Sequence, residues 1–270
     1  MNRLTVEERA QIIGLLVEGN SLRAITRITG KSINTVTKLL VDVGTACAIY
    51  QNDTLRNLNC KRIQCDEIWS FCYAKQKNVT PEQSEEFGYG DVYTWTAIDP
   101  DTKLIAGFLV GKRDYTSART FIGDLAARQL TTDGHKAYLT AVETSFGGDI
   151  DFAQLVKVYG PAPLEDQRRY SPAGYAGSEK HVITGNPDIK KVSTSHVERQ
   201  NLTMRMGMRR FTRLTNGFSK KMFNLECAVA LHFMHYNFGR IHKTLRVTPA
   251  MEAGISQHVW SLEEIAKLAD

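Results

Sequence analysis

The sequence predicts a mixed α/β fold: an open sheet covered by helices on both faces and preceded by an all-α region. Three observations carry this. Strand-like runs at 61–73, 93–99 and 103–110 follow one another in hairpin order. Strands at 129–132 and 152–159 then alternate with helical patterns at 116–127 and 135–146, which argues for a mixed sheet buried on both faces. The first 50 residues show helical periodicity almost throughout.

Taken in order, Thr5 followed by Glu8 is a capping box, and Val6, Ala10, Ile13 and Val17 repeat behind it at helical spacing. Gly19-Asn20 ends that helix. Ser21 starts a second, carrying Ala24, Ile25 and Ile28. Gly30 turns the chain, and Ser32 caps a third helix with Ile33, Val36, Leu40 and Val43 on its inner stripe. A short helix, a glycine turn and a further helix make a helix-turn-helix. Its outer face offers Asn34, Thr35 and Lys38, residue types suited to base edges and phosphates, with Arg23, Arg27 and Lys31 nearby. A three-helix packing or dimerisation module would show the same pattern.

The domain expectation is therefore a helix-turn-helix domain over 1–50, a linker over 51–60, an α/β domain over 61–250 and a helical tail over 251–270. Residues 160–192 are rich in Pro, Gly and charge without clear periodicity, and read as an insertion or loop. The connection AARQLTTD is short, leaving almost no turn between the helix ending near Ala127 and the following strand.

Composition narrows the class. With 42% hydrophobic and 23% charged residues the chain can bury an ordinary globular core. No apolar run approaches the ~20 residues of a membrane span, and the polar N-terminus does not read as a signal peptide. Five cysteines, Cys47, Cys60, Cys65, Cys72 and Cys227, are odd in number and lack a partner pair at zinc-finger spacing. Buried reduced thiols and a cytoplasmic protein, associated with the nucleoid, are the expectation. The net charge of +5 is mild, but its distribution is not. Residues 199–221 hold Arg199, Arg205, Arg209, Arg210, Arg213, Lys220 and Lys221 with no acidic residue, the pattern of a polyanion footprint.

Three acids stand out by setting. Asp66 lies in an apolar strand, where a carboxylate is costly unless paired or bound to a metal. Asp133 sits where a strand ends and a helix begins, which is a ligand-binding position in open α/β sheets and equally a helix N-cap. Glu198, in STSHVERQN, falls in the first turns of a helix, where it suits the dipole or a surface pair as well as a ligand. Glu67 neighbours Asp66 on the opposite strand face, and alternation alone does not say which of the two faces a site. Oxygen donors of this kind are what Mg²⁺ takes, and two such ions about 4 Å apart support in-line phosphoryl displacement. His135 suits either a phosphate contact or a local hydrogen bond. Trp69, Trp95 and Trp260 suit the core better than base stacking, and Met204, Met206 and Met208 span both faces of a helix.

Four segments, CDEIWSF, TTDGHKAYL, STSHVERQNLTMRMGMRRFTRLTN and LHFMHYNFGRIHKTLRVTPAMEAG, together resemble the insertion-sequence-one family of DDE transposases over nearly the whole chain. The resemblance implies a ribonuclease H-like, five-stranded mixed sheet flanked by helices. It places a catalytic and metal-binding triad on Asp66, Asp133 and Glu198, holding two Mg²⁺ ions for which Mn²⁺ substitutes. It sets Arg199 and Asn201 on a helix facing DNA, with Arg205, Arg209 and Arg210 beyond them. The YNFGRIH segment, with Tyr236, Asn237, Arg240 and His242, is implied to pack near the site and contact the substrate; the basic residues of 199–221, with Arg240, Lys243 and Arg246, are expected to supply phosphate contacts. The implied partners are double-stranded DNA, as element ends and target, and further copies of the chain in a dimer or higher oligomer. A regulator that only binds DNA, or a nuclease of this fold that cuts without joining, would share several of these features.

Overall fold

The computed structural model describes residues 4–84, 86, 88–160, 174–212 and 215–270. Three helices open the chain: α1 (Val6–Val17), α2 (Leu22–Thr29) and α3 (Ile33–Thr54). Their starts follow from local chemistry. Thr5 and Glu8 form the capping box, Ser21 accepts from the Ala24 amide, and Ser32 accepts from the Thr35 amide. Gly30, at φ 69°, closes α2 in the left-handed conformation.

The sheet follows: β1 (Cys60–Cys72), a short α4 (Pro81–Ser84), β2 (Gly90–Ile98), β3 (Ile105–Gly111), α5 (Tyr115–Gly123), β4 (Ala127–Asp133), α6 (Ala137–Phe146), β5 (Asp151–Tyr159) and β6 (Tyr175–Thr184). Helices α7 (Ser195–Gly207), α8 (Met222–Met234), α9 (Pro249–Glu252) and α10 (Leu262–Lys267) complete the chain. The strand order is β3-β2-β1-β4-β5-β6. Strands β1, β2 and β3 pair antiparallel, β4 and β5 run parallel to β1, and β6 returns antiparallel to β5. This mixed, helix-flanked sheet is compatible with a ribonuclease H-like fold.

The sheet has six strands where five were expected. The sixth lies inside 160–192, the stretch read as a loop; residues 161–173 of that stretch lie outside the described residues. Strand β6 escaped detection because it is solvent-exposed along nearly its whole length, so no apolar alternation marks it. The tight connection before Asp133 is also resolved differently. Helix α5 stops at Gly123 and β4 begins at Ala127, so the helix is shorter and the strand longer than their periodicity suggested.

Two cores sandwich the sheet. One face packs Ile63, Cys65, Trp95, Phe121, Ile122, Tyr138 and Phe152 against α5 and α6. The other face packs Ile68, Cys72, Val92 and Ile105 against α7 and α8, and this core continues without a break into Ile12, Ile25, Val36 and Val43 of the first three helices. The expected boundary at residue 50 therefore falls inside α3, which runs four residues into the expected linker. There α3 is pressed onto α8: a Cβ on Gly44 would lie 2.5 Å from the Cys227 carbonyl oxygen, and Gln51 donates to the Ala230 carbonyl at 2.9 Å. The tail is likewise part of this core through Ile265 and Ala266, and Arg9 donates to the Ala266 carbonyl. Two residues of the expected inner stripes, Ile28 and Ile33, are instead exposed. All five cysteines are buried and free, and no helix among the described residues is long and apolar enough to cross a membrane.

Candidate active site

Alternation along β1 sends its odd residues toward α5 and α6 and its even residues toward α7. Gln64 shows what the even face does. Its Oε1 accepts from the backbone amides of His196 (3.0 Å) and Val197 (3.3 Å), capping α7 from a distant strand. Thr194, at the N-cap position, makes no capping bond and instead donates its hydroxyl to Glu198. One turn further along, Asn201 donates from Nδ2 to Asp66 Oδ2 at 2.8 Å. Helix α7 is thus tied to β1 at two points, and this brings Glu198 to the pocket that Asp66, in the middle of β1, also lines.

Asp133 is the last residue of β4, adjacent to β1. It does not cap α6. Its Oδ1 accepts from the His135 amide at 3.0 Å and so closes the turn that precedes the helix. Gln154 of β5 holds the same turn, donating to the carbonyls of Asp133 (2.9 Å) and His135 (3.3 Å). Gly134 lets the turn lie close to β5, since a Cβ there would meet Val156 Cγ2 at 3.0 Å.

These elements frame an open pocket of about 480 Å³ lined by Asp66, Arg113, Asp133, Gly134, His135, Lys136, Lys157, Tyr159 and Glu198, among others. Oxygens of Asp66, Glu67 and Asp133 lie within 4.8 Å of one another. Glu198 lines the pocket without being part of that trio, and pairs with Lys157 of β5, whose ammonium sits 2.6 Å from Glu198 Oε2. Crowding of carboxylates shows in their proton affinity. Burial, then the charges of Asp133 and Glu67, push the Asp66 carboxyl up to about 7. Burial and Asp133 also raise Glu67, opposed by Arg113. Burial, then Arg113, lowers His135, favouring its neutral imidazole.

The donor set is chemically suited to a hard divalent cation: it is all carboxylate oxygen, and two of its members, Asp66 and Asp133, line the pocket. Asp66 and Asp133 offer oxygens toward the cavity. Glu67 does not, because Arg113 Nε (2.7 Å) binds its Oε1 and the Tyr138 hydroxyl (2.9 Å) binds its Oε2.

Other expected site residues are placed elsewhere. Asn201, expected to face DNA, is only 7% exposed and supports Asp66. Asn237 is fully buried and pins the turn after α8 to β3, exchanging hydrogen bonds with both backbone groups of Ile105. Arg240, His242 and Lys243 do not line the pocket. The basic run is not one helix: α7 ends at Gly207, a short 3₁₀ turn spans Arg209–Phe211, and Arg213 lies outside the described residues. Arg199 and Arg209 are exposed and Arg205 is half-buried, whereas Arg210 turns inward and donates to Ser219 Oγ at 2.9 Å. Asn34 and Lys38 are exposed on α3, Lys38 pairs with Asp42, and Thr35 bonds Ser32. Of the aromatic and sulfur residues, Trp95 is core, Trp69 is 37% exposed, and Met206 stands out while Met204 and Met208 are buried. Arg113, Lys136, Lys157 and Tyr138 were not singled out from sequence. GKRDY is an ordinary turn string, and nothing local tells an arginine at a pocket from one in solvent.

No protein family matches the chain, and no curated protein does. Among solved structures it is similar to the Mos1 transposase paired-end complex with left transposon end, at 13% identity over 53% of this chain and 58% of that one, with a TM-score of 0.20. A pre-cleavage Mos1 transpososome matches at 11% identity over the same shares, with a TM-score of 0.20. The Mos1 strand transfer complex matches at 12% identity over 87% of this chain and 78% of that one, with a TM-score of 0.21. The chain thus spans 58% of the length of the first of these.

Proposed function

We propose that the chain is a metal-dependent DNA transposase that cleaves the ends of an insertion sequence and joins them to target DNA. The observation that carries this is the convergence of Asp66, from the middle of β1, and Asp133, from the end of the adjacent β4, on one pocket that Glu198 of α7 also lines. These are the three positions that the resemblance to insertion-sequence-one transposases singles out. Asp66 and Asp133 would hold divalent ions, Mg²⁺ with Mn²⁺ as substitute, and Glu198 would join them on leaving Lys157. Two bound ions supply activation of the attacking oxygen and stabilisation of the leaving one.

The chain's own residues do the rest. Arg113, Lys136 and Lys157 surround the acids with positive charge, which draws a phosphodiester into the pocket and offsets its charge as the displacement proceeds. The His135 amide and the Gln154-braced turn hold Asp133 still. Helix α3, through Asn34, Thr35 and Lys38, reads the element end, and Arg199, Arg205 and Arg209 contact phosphates that position without specifying. Joining two ends calls for a dimer or larger assembly, working in the cytoplasm on nucleoid DNA.

The test is a strand-transfer assay on the element's own ends with Mg²⁺ or Mn²⁺. Cleavage followed by joining is expected, lost in Asp66→Asn. Cleavage without joining would make the chain a nuclease. Specific binding with neither reaction would make it a regulator.

A further inference from the structure

Asp66 and Glu67 are neighbours, yet only Asp66 lines the pocket, and Glu67 is built into a support. Glu67 points to the α5/α6 side, with a side chain 1% exposed. A carboxylate so enclosed must have its oxygens engaged, and both are: Tyr138 donates to one and Arg113 Nε to the other. Arg113 sits in the turn between β3 and α5, and that turn is fixed on both sides. The Trp95 indole donates to the Lys112 carbonyl at 3.1 Å, and Asp114 caps α5 through the Ser117 amide at 2.9 Å. Trp95 and Tyr138 pack edge to face at 5.3 Å, so one aromatic pair braces both the turn and the carboxylate. The Tyr93 ring lies 5.8 Å from the guanidinium carbon.

Only Nε of Arg113 is consumed by Glu67. Nη2 reaches to 3.6 Å from Asp133 Oδ2, Nη1 makes no hydrogen bond among the described residues, and the side chain is 41% exposed where it lines the pocket. A planar fork held by its Nε on a side chain that lines a cavity, with its Nη groups left out of that bond, suits bidentate contact with a phosphate. We propose that Arg113 is the phosphate-gripping arginine of this pocket, and that Glu67, braced by Tyr138, is a positioning residue that aims it and not a metal ligand. This rests on the transposase reading, which supplies the DNA phosphate.

The experiment measures binding of the full chain to a duplex of arbitrary sequence against salt concentration in chelator. It is paired with cleavage rates in Mg²⁺, the thermal shift caused by Mg²⁺ alone, and melting temperature as a folding control. Arg113→Gln is expected to weaken binding about 10- to 100-fold and to flatten the salt slope by about 1, one phosphate contact. Arg113→Lys should keep the slope while losing cleavage rate, because a point charge replaces the fork. Glu67→Gln should cost about tenfold in cleavage and leave the Mg²⁺ thermal shift intact. Added to Arg113→Gln it should cost nothing further, since it acts through that residue.

Unchanged binding and slope in Arg113→Gln overturn the proposal, whatever Glu67→Gln does. A lost Mg²⁺ shift in Glu67→Gln overturns its second half by making Glu67 a ligand. If the unmodified chain itself fails to bind duplex DNA, the transposase reading falls and the grip falls with it. If it binds and Arg113→Gln binds equally well, only the grip falls.

Discussion

The two faces of the sheet treat the same chemical group in opposite ways. On the α7 face Asp66 accepts from the Glu67 amide at Oδ1 and from Asn201 at Oδ2, the Asn201 Oδ1 itself being buried without a partner, and it still lines the pocket. On the α5/α6 face Glu67 receives two donors and is closed off. A well-satisfied buried carboxylate is structural support. One that lines a pocket beside other acids is poised to take up a cation. The difference lies in which helix packs over each face, since the two residues share one strand.

The largest effects should follow from charge on the open face. Asp66→Asn, Asp133→Asn and Glu198→Gln should each lower cleavage and joining by about 10³-fold or more, with melting temperature and DNA binding nearly kept. Pairs of these changes should cost little beyond one. Near-normal strand transfer in any single variant removes that residue from the ligand set, and equal losses in Glu67→Gln would erase the contrast between the faces.

Stability should show the reverse ranking. Tyr138→Phe strands a buried Glu67 oxygen and should destabilise by about 1–3 kcal/mol. Asn201→Ala should cost less, because it also removes an amide oxygen that has no partner. Chemical denaturation of both variants decides this, and an equal cost would mean that the α7 face is as fully satisfied as the other.

The open face should also be visible in pH. A carboxyl raised in the folded state binds its proton more tightly there than in the unfolded chain. Its stabilising contribution is therefore full below about 4, the ordinary carboxyl value, and is lost as pH rises through about 7. Metal-free protein should lose stability across that window. Asp66→Asn should flatten the loss, and Mg²⁺ should restore stability most at the alkaline end. A flat profile in metal-free protein would show that Asp66 is not crowded.

The smallest effects belong to the basic run. Arg199→Gln and Arg209→Gln, both at exposed positions, should each shift stability by no more than about 0.5 kcal/mol while flattening the salt slope of DNA binding by about 1. Arg210→Gln should do the opposite, lowering the melting temperature with the slope unchanged, because its guanidinium is committed to Ser219.

The sequence by itself determined the elements and their caps. Thr5, Ser21, Ser32 and Gly30 act through bonds spanning three or four residues, and the five strands it marked are apolar runs bounded by turn residues. It also singled out Asp66, Asp133 and Glu198, through the expense of placing acids in such settings and through the likeness of four segments to one family. Only the tertiary structure decided which neighbour, Asp66 or Glu67, faces the pocket, because alternation says that they differ and not which side is covered by what. It decided that Gln64 and not Thr194 caps α7, that Asn201 serves Asp66, that Arg210 turns inward, and that Arg113 reaches the site. Each of these rests on contacts between residues distant in the chain, and local pattern has no access to such contacts. Strand β6 was hidden for a related reason: its partner is β5 and its faces are wet, so pairing alone makes it a strand.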